Sequence, residues 1–143
     1  MRIRDAVEAD AEALAALADA PSDVMRELVH DRTVRVAVPE DAPERTNGGG
    51  AEMVDPSAVR GFVSYDARDG VVHVTQFGGD DDACERLLAE PVAFGRRQDL
   101  PVEVLVPETE TDSAAAVEAA GFDRDGTGPR FDGQSTVRYR AEP

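Results

Sequence analysis

Between Val71 and Val106 the chain reads as strand, helix, strand, and that order excludes most folds. Val71 to Phe77 is rich in β-branched residues, and Val102 to Val106 holds three alternating valines. The segment between them, Asp81 to Gln98, places Cys84, Leu87, Leu88, Pro91 and Phe94 on one helical side. Two strands joined by a helix of that length lie parallel in one sheet, with the helix as a right-handed crossover. The Val71–Phe77 strand is therefore expected in the centre of a sheet. Pro91 removes a backbone donor inside the helix and predicts a kink or a restart there.

The remaining elements extend this unit. Arg2 to Arg4 reads as a short strand, and Ala11, Leu14, Leu17 and Ala18 mark one face of a helix over about Ala9 to Ala20. After the break at Pro21, Ser22 is the expected cap of a second helix whose buried stripe is Val24, Met25, Leu28 and Val29. Thr33 to Val38 alternates, with Val34, Val36 and Val38 on one face. Val59 to Asp66 joins Val71 to Phe77 through the hairpin turn Ala67-Arg68-Asp69-Gly70. An alanine-rich helix over Ser113 to Ala120 is closed by Gly121, and the tail supplies a final strand or two, clearest at Thr136 to Arg140.

The order β-α-α-β-β-β-α-β-α-β predicts an α/β (α+β) fold, a mixed β-sheet flanked by helices. At 143 residues the chain is read as one domain over residues 1–143. Pro39 to Pro56 has no periodicity and contains Asn47-Gly48-Gly49-Gly50, so a flexible surface loop is expected over about residues 39–58.

Charge narrows the partners. Thirty acidic residues face fifteen basic ones, all arginine, for a formal charge of −15. An acidic, lysine-free chain resembles proteins of salt-accumulating halophiles, whose carboxylates keep the surface hydrated in concentrated salt. Such a surface repels phosphate backbones, so nucleic acid is not an expected partner. No apolar run approaches membrane-spanning length, and the N-terminus shows no signal-peptide core. One cysteine and two separated histidines make neither an internal disulfide nor a metal set. A cytoplasmic protein without metal is the expectation.

Four local patterns, in this order, resemble the GNAT superfamily of acyl-CoA-dependent N-acyltransferases. They are Ile3-Arg4-Asp5-Ala6 with Asp10-Ala11 and Leu14; Val59-Arg60-Gly61-Phe62-Val63; Val71 to Phe77 with the following glycines and Leu87-Leu88; and Ala119-Ala120-Gly121-Phe122. The resemblance implies transfer of an acetyl or other acyl group from acetyl-CoA to an amine on a small molecule or protein. It further implies that the sheet splays beside Val74, Thr75, Gln76 and Phe77 to take the pantetheine arm, while Gly78 and Gly79 approach the phosphates. Members usually follow an Arg or Gln with two residues, Gly, one residue, then Gly or Ala. Counted from Gln76 those positions are Gly79 and Asp81, so the loop is degenerate and carries carboxylates beside the implied phosphate site. The stronger reading of Asp80 to Asp82 is as the cap and first turn of the helix, where aspartates suit the helix dipole.

The family's usual general acid, a tyrosine four residues before Gly-Phe, corresponds to Val117, and its common asparagine to Glu110. Candidates for proton transfer are then His73, opposite in phase to Val72 and Val74, and Tyr65. Each has a plainer reading, as a hydrogen-bonded strand histidine and as packing. Cys84 reads as core, and Arg96-Arg97 as an exposed pair or a phosphate contact. Two functions remain open on these residues. One is the acyltransferase. The other is a non-catalytic module of the same fold that binds a partner or forms a homodimer.

Overall fold

The computed structural model describes residues 2–39, 59–130 and 133–143. Apart from Pro39, the expected loop over residues 39–58 lies outside the described residues. Strands β1 (Arg2–Asp5), β2 (Thr33–Val38), β3 (Gly61–Arg68), β4 (Val71–Gly79), β5 (Val102–Pro107), β6 (Asp123–Thr127) and β7 (Thr136–Ala141) form one sheet in the order β1-β2-β3-β4-β5-β7-β6. Helices α1 (Ala11–Ala18), α2 (Ser22–Asp31), α3 (Asp81–Gln98) and α4 (Thr111–Ala119) flank it, and a short 3-10 turn (Glu8–Asp10) leads into α1.

β4 lies at the centre and pairs in parallel with β5, with α3 as the connection. This is the arrangement that the strand–helix–strand order requires. α3 runs from Asp81 to Gln98 as one helix, so Pro91 causes no restart. The hairpin between β3 and β4 turns on Asp69 and Gly70, both at positive φ (55° and 77°), the backbone of a two-residue turn that matches strand twist. The tail gives two strands rather than one. β7 inserts between β5 and β6, leaving β1 and β6 outermost.

Strand alternation divides the core between the two faces of the sheet. Val34, Val36, Val38 and Phe62 pack with Ala11, Ala13, Leu14 and Met25 of α1 and α2. On the other face Ala37, Val63, Val72, Val74, Val104 and Val106 pack with Leu87, Leu88 and Val92 of α3 and Val117 of α4. Complete burial of each Leu or Phe contributes about 1.5–3 kcal/mol. Gly61 lets α3 lie close to β3, since a Cβ there would stand 2.9 Å from the Ala83 Cβ.

Two local expectations need correction. Ser22 is the first residue of α2, not its cap; Pro21 occupies the cap position and no side chain caps this end. Of the predicted stripe on α2 only Met25 is fully buried, and Val24 is 46% exposed, because the short helix rests on the sheet over a narrow strip.

Candidate functional site

β4 and β5 are paired only through Val72–Val102, His73–Glu103 and Val74–Val104. Beyond Val74 both strands continue, β4 to Gly79 and β5 to Pro107, without pairing to each other. They part at a register break. Ser64 of β3 faces Gln76 while Tyr65 faces Val74, so Thr75 is an extra residue in β4, a bulge. A bulge bends its strand and increases local twist, which turns this half of β4 away from β5.

The gap is a cleft of about 490 Å³. Val74, Thr75, Gln76, Phe77, Gly78 and Gly79 line one wall, so the structure brings together all six residues expected there from sequence. Val104 to Pro107 line the opposite wall, with Glu110, Asp112, Ser113 and Ala116 from the start of α4. Leu17 and Ala18 of α1 and Phe62 also line it. Gly79 has φ 125°, and a Cβ there would lie 2.3 Å from the Arg60 carbonyl oxygen, so only glycine fits.

The N-terminus of α3 opens at the cleft, and its three aspartates differ in role. Asp80 caps the helix: one oxygen accepts the Ala83 N–H at 2.8 Å and the other accepts from Arg60 Nε at 2.8 Å. Asp81 lines the cleft, whereas Asp82 faces a separate hollow beside Arg60 and Ala119. The sequence allowed both a capping and a ligand-facing reading for this run; in the structure they fall to different members of it. With Glu110 and Asp112 the cleft carries three carboxylates, and among the described residues no arginine, histidine or tyrosine lines it.

His73 sits in the paired part of β4, facing Asp66 of β3 and Glu103 of β5 in register, and does not line the cleft. Tyr65 is buried on the α3 face with its ring 5.7 Å from Phe94; burial pushes its phenol pKa up. It does not line the cleft either. Cys84 does, but it is 6% exposed, and its Sγ lies 3.6 Å from the Gly79 carbonyl oxygen. Burial, then Asp80 and Asp81, push its pKa up to about 11, so it stays a thiol. Arg96 and Arg97 are exposed in the last turn of α3, roughly 22 Å along the axis from the cleft end. Val117 is wholly buried core.

Asp112 and Ser113 carry no pattern that marks them in the sequence. The signal that finds them is topological, since ligands of parallel strands collect at the strands' carboxyl ends and these residues follow β5. Among the described residues no group of side chains could hold a metal ion, and no helix is long and apolar enough to cross a membrane.

No protein-family model and no curated protein matches the sequence. Solved structures do match. Ribosomal-protein-alanine N-acetyltransferase from Brucella melitensis superposes with a TM-score of 0.73 at 17% identity, covering 100% of both chains. A GNAT-family protein from Desulfovibrio desulfuricans gives 0.70 at 18% identity, covering 99% of this chain and 98% of that one. Arabidopsis thaliana NAA60 in complex with acetyl-CoA gives 0.71 at 14% identity, covering 99% and 97%. The fold is that of the GNAT acetyltransferases.

Proposed function

We propose that this chain, on a fold shared with GNAT acetyltransferases, transfers an acyl group from acetyl-CoA to an amine in the cleft between β4 and β5. One observation carries this reading: the two parallel strands separate beyond Val74 and Val104 while both run on, beside the N-terminus of an eighteen-residue helix. An edge of β4 backbone that is not paired to β5 suits an extended ligand with amide groups, which adds to a sheet edge as a strand would. Gly78 and Gly79 present no side chain where the ligand's phosphates would approach, and a helix N-terminus favours anions.

The residues fit the pantetheine arm well and the phosphate end less well, because Asp81 adds a negative charge to that rim. At multimolar salt the Debye length falls to about 3 Å or less, which weakens the repulsion. Bound acetyl-CoA would supply a thioester carbonyl as electrophile and a thiolate as leaving group. The chain's part is to hold the amine close to that carbonyl, which turns an encounter between two molecules into a step within one complex. With no imidazole or phenol among the described lining residues, the amine proton leaves through water in the open cleft, next to the carboxylates of Glu110 and Asp112.

Calorimetric titration with acetyl-CoA in multimolar potassium chloride tests this reading. Saturable binding, with thiol release once amines are added, supports it. Absence of binding at millimolar acetyl-CoA rejects it and leaves a non-catalytic module of the same fold.

A further inference from the structure

We propose that Thr75, held by Ser64, is the contact in the cleft that accepts an N–H of the amine substrate. The proposal rests on the acyltransferase reading and assigns a specificity role within it. Ser64 is completely buried, yet it is polar. Its hydroxyl lies 2.6 Å from the Thr75 hydroxyl, and Thr75 Oγ1 also donates to the Ser64 carbonyl oxygen at 3.2 Å. A hydroxyl has one hydrogen and two lone pairs. The Thr75 hydrogen is directed to Ser64 in either arrangement, to the carbonyl oxygen when Ser64 donates across the 2.6 Å contact, or to the Ser64 hydroxyl itself.

At least one lone pair on Thr75 Oγ1 is then left, and Thr75 lines the cleft. What it offers there is an acceptor and not a donor. An incoming amine carries N–H donors, and its own lone pair must stay free to reach the acyl carbon. A neighbour that only accepts satisfies the first need without competing for the second. A hydroxyl free to rotate would instead be able to donate to the nitrogen and block it. The bulge matters for the same reason. It puts Thr75 and Gln76 together opposite Ser64, which brings the Thr75 side chain beside Ser64 at the point where the strands part. Thr75 is thus the substrate contact and Ser64 a positioning residue acting through it.

The test compares two ligands by calorimetry at equal salt. One is acetyl-CoA. The other is CoA whose sulfur carries an N-ethylacetamide group, so that its N–H stands where the amine's would. In the unmodified protein the conjugate should bind tighter than acetyl-CoA by roughly three- to tenfold, the value of one such hydrogen bond. Thr75→Val should bring that ratio close to one, whatever its effect on acetyl-CoA affinity, and Thr75→Ser should restore it. Ser64→Ala should lower the ratio. A purely structural role for the pair would instead weaken both ligands together. A ratio near one in the unmodified protein, a ratio unmoved by Thr75→Val, or an equal loss for both ligands overturns the contact and spares the acyltransferase reading. Failure of both ligands to bind the unmodified protein rejects that reading, and this one with it.

Discussion

Arg4 grips Asp10 through two hydrogen bonds, of 2.8 and 3.1 Å, and the Asp10 carboxylate has no exposed surface. The same carboxylate accepts the Val7 N–H at 2.8 Å, so it ties β1 to the turn that starts α1. Asp10→Ala would leave the Val7 N–H and the Arg4 guanidinium, 24% exposed, without their acceptor, and is expected to cost about 1.5–3 kcal/mol, read from urea unfolding. A loss below about 1 kcal/mol would mean that the pair behaves as an exposed one.

Asp99 ends α3 in the left-handed region at φ 57°, an exposed position that glycine adopts without strain. It also sets a negative charge at the negative end of the helix dipole. Asp99→Gly should stabilise the protein by about 0.5–1 kcal/mol despite the added freedom of the unfolded chain. A lower melting temperature for the variant would contradict this account.

The aspartates before α3 should separate by experiment. Asp80→Ala removes the cap and the partner of Arg60, and should cost about 0.5–2 kcal/mol of stability. Asp81→Asn should tighten acetyl-CoA binding several-fold in dilute buffer and less in concentrated salt, whereas Asp82→Asn should change it little. Equal effects of the last two would show that general charge, and not position in the cleft, sets the affinity.

Cys84 makes stability depend on pH at the alkaline end. The folded state holds the thiol proton more tightly than the unfolded chain, up to about pH 11. Its stabilising effect is complete below the ordinary thiol range and is lost as pH rises toward that value. Between about pH 8 and 10.5 the native protein should therefore lose more stability than Cys84→Ala, by urea midpoints at each pH. Parallel losses would remove the thiol from the explanation.

A formal charge of −15 repels itself when unscreened. The melting temperature should rise from dilute buffer to multimolar potassium chloride. A melt indifferent to salt would reject the halophile-like reading of the composition.

The fold was legible where side chains repeat. Val34, Val36 and Val38 mark β2 because alternate residues face one core, and the helical spacing from Cys84 to Phe94 marks α3. β6 was not legible as an element, since Asp123 to Thr127 buries nothing and shows no alternation. Within the cleft, Val74 to Gly79 followed from the family resemblance. The Ser64–Thr75 contact did not, because it depends on a register break between two strands that neither sequence segment displays alone. His73 and Tyr65 drew notice by residue type, and only the pairing pattern reveals that neither reaches the cleft.

The two outermost strands have a consequence for association. β1 reads Arg-Ile-Arg-Asp and β6 reads Asp-Arg-Asp-Gly-Thr, where Gly126 sits at φ 99° next to a break in register. Charged side chains of both signs and an interrupted ladder make poor templates for another chain's backbone. The borders of the sheet thus guard against fibre-like stacking as concentration rises. Copies of this protein that meet would do so through helices or an open face, not by lengthening one another's sheet.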